Sequence, residues 1–277
     1  MGAEALPEYR VAARNIGAGS ENRIHDDAVA RRYGFGGGLV PGVVVYAYAT
    51  HPVVAAFGEA WLARGAATIR FVKPLFDGEE TVVAGTIVRD PAGHLSVSLG
   101  VRNGRGEECA VGTAALPAAM TLAPRPRRYV EAPLPTRRPV ASRESLAPGR
   151  VLGTVETGYD AGRAARFLDA LGDRHAIYRG PGGMVHPAFF LDQANRVLAS
   201  NVELGPWIHV SSTVRHLGGA HAGERLATRG RVAALSERKG RELVELDLLV
   251  VTGPDDRPVA HVHHTAIWRL PDPDGTA

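Results

Sequence analysis

Apolar residues occur along the chain in two similar series. Each series begins with a long apolar segment, the first from Pro41 to Phe57 and the second from Pro187 to about Ser200. Proline suits the first position of a helix because its missing N–H would have no acceptor there. Each segment therefore predicts a helix that is buried in the protein.

Shorter runs rich in valine, isoleucine, leucine and threonine follow each helix. Turn signals such as Asp77-Gly78 and Asn103-Gly104 separate the runs of the first series and favour antiparallel hairpins. The pattern predicts four strands after each helix: residues 67–72, 81–88, 95–102 and 109–116 in the first series, and 209–215, 226–234, 243–251 and 259–270 in the second. This order predicts an α+β fold in which antiparallel strands wrap around a helix.

The two series are copies of one unit. Short matches recur at one spacing of 145 residues: Leu39-Val-Pro-Gly with Met184-Val-His-Pro, Thr68-Ile-Arg with Thr213-Val-Arg, and Gly78-Glu with Gly223-Glu. A spacing that holds without gaps indicates a duplicated unit of roughly 120 residues.

A segment rich in proline and arginine separates the copies. Proline fixes φ and removes a backbone donor, so this segment predicts an extended linker on the surface rather than a helix or a central strand. The predicted organisation is an N-terminal unit at residues 1–120, a linker at 121–150 and a C-terminal unit at 151–277. The linker arginines are expected to be solvated, and contact with phosphates of a ligand is the alternative.

Composition narrows the class of protein. The 277 residues are 45% hydrophobic and 22% charged with a formal charge of +3, and no block of basic residues suggests nucleic-acid binding. Prolines interrupt the longest apolar stretch, so no membrane span is expected, and the N-terminus lacks a secretion signal. We expect a cytoplasmic protein. The single cysteine, Cys109, excludes a disulfide framework and is expected to be a buried residue of a strand.

Several short motifs carry a family resemblance. They are Asn22-Arg-Ile-His25, Gly34-Phe35, Leu39-Val-Pro-Gly42, Arg70-Phe71, Pro74 and Asp77-Gly78. Together they resemble the MaoC-like family of R-specific enoyl-CoA hydratases and hydroxyacyl-thioester dehydratases, well over residues ~15–90 and more weakly in the second half. The resemblance implies a double hot-dog fold, in which two units, each a sheet around a buried helix, join as a pseudo-dimer. It also allows a homodimer of such chains.

The resemblance assigns roles to residues of the first half. The family signature is Asp-x-Asn-Pro-x-His, and it implies that His25 is the catalytic acid/base and that Asn22 is the family asparagine. Gly42, at the start of the buried helix, would donate its N–H to the thioester oxygen, since unpaired helix-start amides suit a developing negative charge. Ser20 occupies the position of the family aspartate, and its hydroxyl can hold a water but is no general base near neutral pH.

The second half departs from the signature differently. Asp173 keeps the aspartate position, whereas His175 stands at the asparagine position and Tyr178 at the histidine position. Pro187 replaces the oxyanion glycine and has no N–H to donate. This half is expected to be a degenerate partner that shapes the binding tunnel, with Asp173, His175, Tyr178 and His186 as further site candidates.

The expected activity is that of a hydro-lyase on a 2-enoyl or 3-hydroxyacyl thioester. The acyl group would be carried by CoA or a carrier protein, as substrate rather than cofactor. Thioester hydrolysis, a specialised biosynthetic elimination and acyl-thioester binding without catalysis remain alternatives. No metal is expected, because His261 and His263 share one strand face without a third ligand.

Overall fold

The computed structural model describes residues 3–271. Within them, ten strands form a single antiparallel sheet: β1 (Ala3–Ala12), β2 (Ala66–Phe71), β3 (Glu80–Arg89), β4 (Leu95–Asn103), β5 (Glu108–Leu116), β6 (Val151–Gly158), β7 (Ile208–His216), β8 (Arg225–Arg238), β9 (Arg241–Thr252) and β10 (Arg257–Arg269). The α-helices are α1 (Asp27–Arg32), α2 (Gly42–Arg64), α3 (Ala161–Leu171) and α4 (Pro187–Asn201). None of the helices in this part of the chain is long and apolar enough to cross a membrane.

The sheet consists of two equivalent halves. Its strand order is β1-β3-β4-β5-β2-β7-β10-β9-β8-β6, so β2 and β7 join the halves at the centre. The long helix α2 packs on the strands of the first half, α4 packs on those of the second, and the two helices contact each other. The apolar side chains between helices and sheet form one continuous core. This is the double hot-dog fold that the sequence predicts.

Each half has five strands, one more than the sequence predicts. The additional strands are β1 and β6, and they form the two edges of the sheet. Along β1 only Leu6 is buried, so the apolar alternation that marks a strand is missing. In β6, Gly153 interrupts the apolar pattern because the linker backbone lies against it, and a Cβ there would lie 2.6 Å from the Pro133 carbonyl oxygen.

The helices also extend beyond the predicted bounds. Helix α2 begins at Gly42, with Pro41 as its N-cap, and it continues past Phe57 to Arg64. It bends at Gly58, whose φ of 54° lies in the left-handed region that glycine tolerates best. The amphipathic helix α3 was not predicted, and it follows β6 in the second half.

The linker is held on the face of the sheet that points away from the helices. The Tyr129 hydroxyl donates to Asp247 Oδ1 at 2.9 Å and lies 3.0 Å from His261 Nε2. Asp247 and His261 are themselves 2.7 Å apart, and Tyr129 is buried. This cluster fixes the otherwise irregular linker to the second half.

Candidate active site

Two adjoining clefts open beside the start of α2. Their volumes are about 200 Å³ and 460 Å³, and both are lined by Asn22, His25, Pro41, Asn195 and Trp207. Asn195 and Trp207 belong to the second half of the chain, whereas the other three belong to the first. The site is therefore formed where the halves meet.

His25 is held in one orientation by its two ring nitrogens. Nδ1 lies 2.7 Å from the Leu39 carbonyl oxygen, an acceptor, so the hydrogen-bond network places the proton on Nδ1. Nε2 lies 3.3 Å from the Asn22 amide nitrogen, which donates to it. Burial lowers the pKa of His25 below its ordinary value. The ring is therefore neutral near pH 7, with a lone pair on Nε2.

Asn22 joins the histidine turn to the second half of the chain. Its side chain accepts from the Trp207 N–H at 3.2 Å and donates to the Trp207 carbonyl at 3.0 Å. The Asn22 side-chain oxygen, Oδ1, also caps the 3₁₀ turn Arg23–His25 by accepting from the Ile24 N–H. Asn22 therefore positions His25 against the other half.

Gly42 is the first residue of α2. The first N–H groups of a helix have no acceptor within it, so the Gly42 N–H is free of the helical ladder. A Cβ at this position would lie 2.7 Å from His209 Nδ1 and 2.8 Å from the Phe71 ring. Only glycine fits, and Gly42 lines the smaller cleft together with His25.

Ser20 lies at the rim of the larger cleft. The residue is exposed, and its hydroxyl donates to the Asn22 carbonyl at 3.4 Å. It does not cap the histidine turn, because Asn22 holds that position. The structure thus places Ser20 and His25 on one cleft without a direct hydrogen bond between them.

The carboxylates near His25 have partners of their own. In the larger cleft, Glu21 pairs with Arg138 at 2.5 Å and Asp192 pairs with Arg196 at 2.7 Å. On the turn after His25, Asp27 accepts from the Gly38 N–H at 2.8 Å. None of these carboxylates takes the place of the signature aspartate, whose position Ser20 occupies.

The second half repeats the turn, but there the residue equivalent to His25 is buried. His175 caps the 3₁₀ turn Ala176–Tyr178 by accepting from the Ile177 N–H, as Asn22 does in the first half. Tyr178 takes the place of His25, and its buried hydroxyl has no hydrogen-bond partner among residues 3–271. Burial raises the pKa of Tyr178 well above its ordinary value.

Asp173 is the centre of a buried polar cluster. Its side chain accepts from His51 Nδ1 at 3.0 Å, from His186 Nε2 at 3.3 Å and from the His175 N–H at 2.8 Å. Burial raises the pKa of Asp173, but these hydrogen bonds outweigh it and hold the pKa well below its ordinary value. His186 also caps α4 by accepting from the Ala188 N–H at 3.1 Å. No cleft described above is lined by these second-half candidates.

Three donor groups that could hold a metal meet on the far face of the sheet. Asp247 joins His261 and His263, and the ligand atoms of the three lie within 4.8 Å of one another. The sequence missed Asp247 because it lies on the neighbouring strand. Arg215 contacts His261 at 3.1 Å and Arg231 contacts Asp247 at 3.2 Å, and these two positive charges oppose cation binding.

Among the cleft residues that were not predicted from the sequence are Asn195, Trp207 and His209. Asn195 lies on α4 and lines both clefts, and its buried Oδ1 has no partner within the described chain. His209 is buried beside Gly42. These residues come from the opposite half of the chain, and the motifs around His25 give no sign of them.

Comparison with known proteins bears on the fold. A scan against protein-family models and a search of curated protein sequences found no match. Among solved structures, the chain is similar to a conserved Mycobacterium tuberculosis protein with a double hotdog fold that is essential for survival during infection, at 16% identity, 96% coverage of each chain and a TM-score of 0.67. A MaoC-like dehydratase matches at 13% identity, 95% coverage of this chain, 98% of that chain and a TM-score of 0.62.

A third structure extends the range of activities found on this fold. It is an acyl-CoA thioesterase II from Mycobacterium marinum, similar at 17% identity with a TM-score of 0.53, over 87% of this chain and 92% of that chain. At such low identities the similarity establishes the double hot-dog fold. The chemistry has to be argued from the residues of the clefts.

Proposed function

We propose that the protein adds water to, or removes it from, a 2-enoyl or 3-hydroxyacyl thioester. The observation that carries this proposal is that His25 and Gly42 border one cleft. His25 offers an unprotonated Nε2, and Gly42 offers a helix-start N–H. A base beside an anion-stabilising donor suits a reaction that passes through an enolate.

The cleft also suits the two ends of an acyl thioester. Its walls are largely apolar and include Val45, Phe71, Leu75 and Ile267, which suit an acyl chain. Lys73 and Arg241 line the same cleft, and positive charges there suit the phosphates of CoA or of a carrier-protein arm.

In the hydration direction, water replaces the Asn22 amide as the partner of His25 Nε2, and Nε2 accepts a proton from this water as the water oxygen bonds to C3. The electron pair of the C2–C3 double bond moves towards the thioester carbonyl, whose oxygen gains negative charge and accepts from the Gly42 N–H. The imidazolium then returns the proton to C2, so atoms and charge balance. Asn22, held by the Trp207 backbone, fixes the turn that carries His25, and the Ser20 hydroxyl helps to hold the water.

Thioester hydrolysis is the second candidate. The carboxylates of the larger cleft, Glu21 and Asp192, are already paired with arginines. This favours hydrolysis, because attack of water on the thioester carbonyl needs only one base and one oxyanion donor. The acyl–sulfur bond would then break and release a free thiol. This outcome separates the two reactions.

Incubation with trans-2-enoyl-CoA thioesters of several chain lengths, beginning with crotonyl-CoA, tests the proposal. Loss of enoyl absorbance without free thiol supports the hydro-lyase. Thiol release supports the hydrolase instead. Absence of both across the series, together with tight binding of the thioesters, contradicts catalysis and leaves an acyl-thioester-binding protein.

A further inference from the structure

A chain of three polar side chains lies under the smaller cleft. Ser212 Oγ is 2.8 Å from His209 Nε2 and 3.0 Å from His264 Nδ1. All three residues are buried, and the two histidine rings are 4.2 Å apart between centroids. The chain connects β7 and β10 on the inner side of the sheet.

Of these three side chains, His209 is the one that reaches the site. The residue is 7% exposed, and it lines the cleft with His25 and Gly42. Its ring packs edge-on against Phe71, with centroids 4.8 Å apart, and Nδ1 lies against Gly42. Nδ1 has no hydrogen-bond partner anywhere in residues 3–271. A buried polar atom without a partner is costly, so a ligand that supplies one gains affinity.

The shared serine couples the tautomers of the two histidines. Ser212 has one proton, so it donates to one ring and accepts N–H from the other. If it donates to His209 Nε2, the His209 proton is on Nδ1, at the cleft. If it donates to His264, the remaining N–H is on His264 Nε2, which is buried and also lacks a partner in the described structure. Only the first arrangement puts the unpartnered N–H, on His209 Nδ1, at the cleft, where a bound acceptor can pair with it.

We propose that the His209 Nδ1–H is a second donor to the thioester carbonyl oxygen, alongside the Gly42 N–H. Ser212 and His264 act as positioning residues, because they hold the proton on Nδ1. Burial keeps the pKa of His209 well below its ordinary value, so the ring remains neutral and donates without carrying a charge. This inference rests on the proposed thioester substrate.

An isosteric pair of variants tests the donor. His209→Asn keeps an N–H near the position of Nδ1, whereas His209→Leu removes it at nearly the same size. We expect kcat for enoyl-CoA hydration to fall about 10²-fold or more in the leucine variant and less than about tenfold in the asparagine variant. His263→Leu, at an exposed ring on the other face of the sheet, is the control and should leave the rate unchanged.

Infrared spectra of bound butyryl-CoA with a labelled carbonyl carbon read out the hydrogen bond itself. The carbonyl stretch should lie at lower wavenumber in the wild type and in His209→Asn than in His209→Leu. Equal wavenumbers in all three would overturn the inference, even if the wild type hydrates enoyl-CoA. A shift that the leucine variant loses, in a protein that turns over no enoyl-CoA, would support the donor and refute the proposed reaction.

A measurement on the wild type avoids dependence on the folding of a buried variant. Nitrogen NMR distinguishes the two neutral tautomers of His209 with butyryl-CoA present. A protonated Nδ1 is the expected result, and an unprotonated Nδ1 would overturn the inference.

Discussion

Thr68 lies directly opposite Thr213, its repeat equivalent, where β2 pairs with β7. A residue can face its own copy only on the axis that relates the two halves. The loops cross this axis reciprocally: Asn22 bonds to Trp207 of the second half, and Asp173 bonds to His51 of the first. The fold is thus a dimer within one chain, and each half helps to hold the turn of the other.

The two turns are expected to contribute unequally to catalysis. His25→Ala should lower the hydration rate by about 10²- to 10⁴-fold, because it removes the proposed acid/base of the open cleft. Tyr178→Phe should change the rate by much less, because the Tyr178 hydroxyl is buried away from that cleft. Steady-state kinetics of both variants, with circular dichroism as a check on folding, decide this. A larger loss from Tyr178→Phe would place the active site in the second half.

A carboxylate at position 20, where the MaoC-like signature has its aspartate, should strengthen the proposed water chemistry. Ser20→Asp adds a second acid/base at the rim of the cleft of His25, and we expect hydration of crotonyl-CoA to rise by about tenfold or more. The exposed Ser20 has room for the larger side chain. Ser20→Asn is the matched control, with nearly the same shape and no charge. An equal effect of both variants, or no effect of either, would show that Ser20 lies outside the reaction.

Asp173 is expected to stabilise the fold rather than to carry catalysis. Asp173→Asn replaces a buried acceptor of three hydrogen bonds and should lower the free energy of unfolding by about 2 to 5 kcal/mol. Asp169→Asn, at an exposed carboxylate nearby, should change it by less than about 0.5 kcal/mol. Denaturant titration measures both. A large loss of kcat in a stable Asp173→Asn variant would instead indicate a second active site.

Acid should destabilise the protein through its buried histidines. Both nitrogens of His216 lack partners in the described chain, and burial lowers the pKa of His216 from 6.5 to about 3. The unfolded chain takes up the proton first. The contribution of neutral His216 to the free energy of unfolding is therefore complete above pH 6.5 and is lost as the pH falls towards 3. At pH 5 the loss is about 2 kcal/mol.

The variant His216→Phe removes this dependence. Its free energy of unfolding, measured from pH 7 to 5, should fall less steeply than that of the wild type. His94→Phe, at a half-exposed ring, is the matched control. Identical slopes for the wild type and His216→Phe would show that His216 is not held neutral.

The sequence reveals those parts of the fold that depend on local pattern. The two long helices α2 and α4 and the inner strands were predictable because buried elements need unbroken apolar or alternating side chains. The two edge strands were not, since β1 buries only Leu6 and β6 contains Gly153 under the linker. These two segments form strands because they pair with the neighbouring strands β3 and β8, and their own residue patterns do not show it.

The same distinction applies to the candidate site. His25 and Gly42 stand in short motifs, so their positions followed from the sequence. His209 did not, because strict alternation puts His209 and Ser212 on opposite faces of a strand. A β-bulge in β7 opposite Thr265 and Ala266 brings both to the inner face. A single additional residue in a strand leaves no clear mark in sequence.

Incubation with crotonyl-CoA in oxygen-18 water tests the central claim most directly, because the position of the label identifies the bond that forms. We expect one oxygen-18 atom at C3 of an intact 3-hydroxybutyryl thioester, at a rate that His25→Ala lowers by about 10²-fold or more. Label in a free carboxylate, with no label at C3, would contradict it.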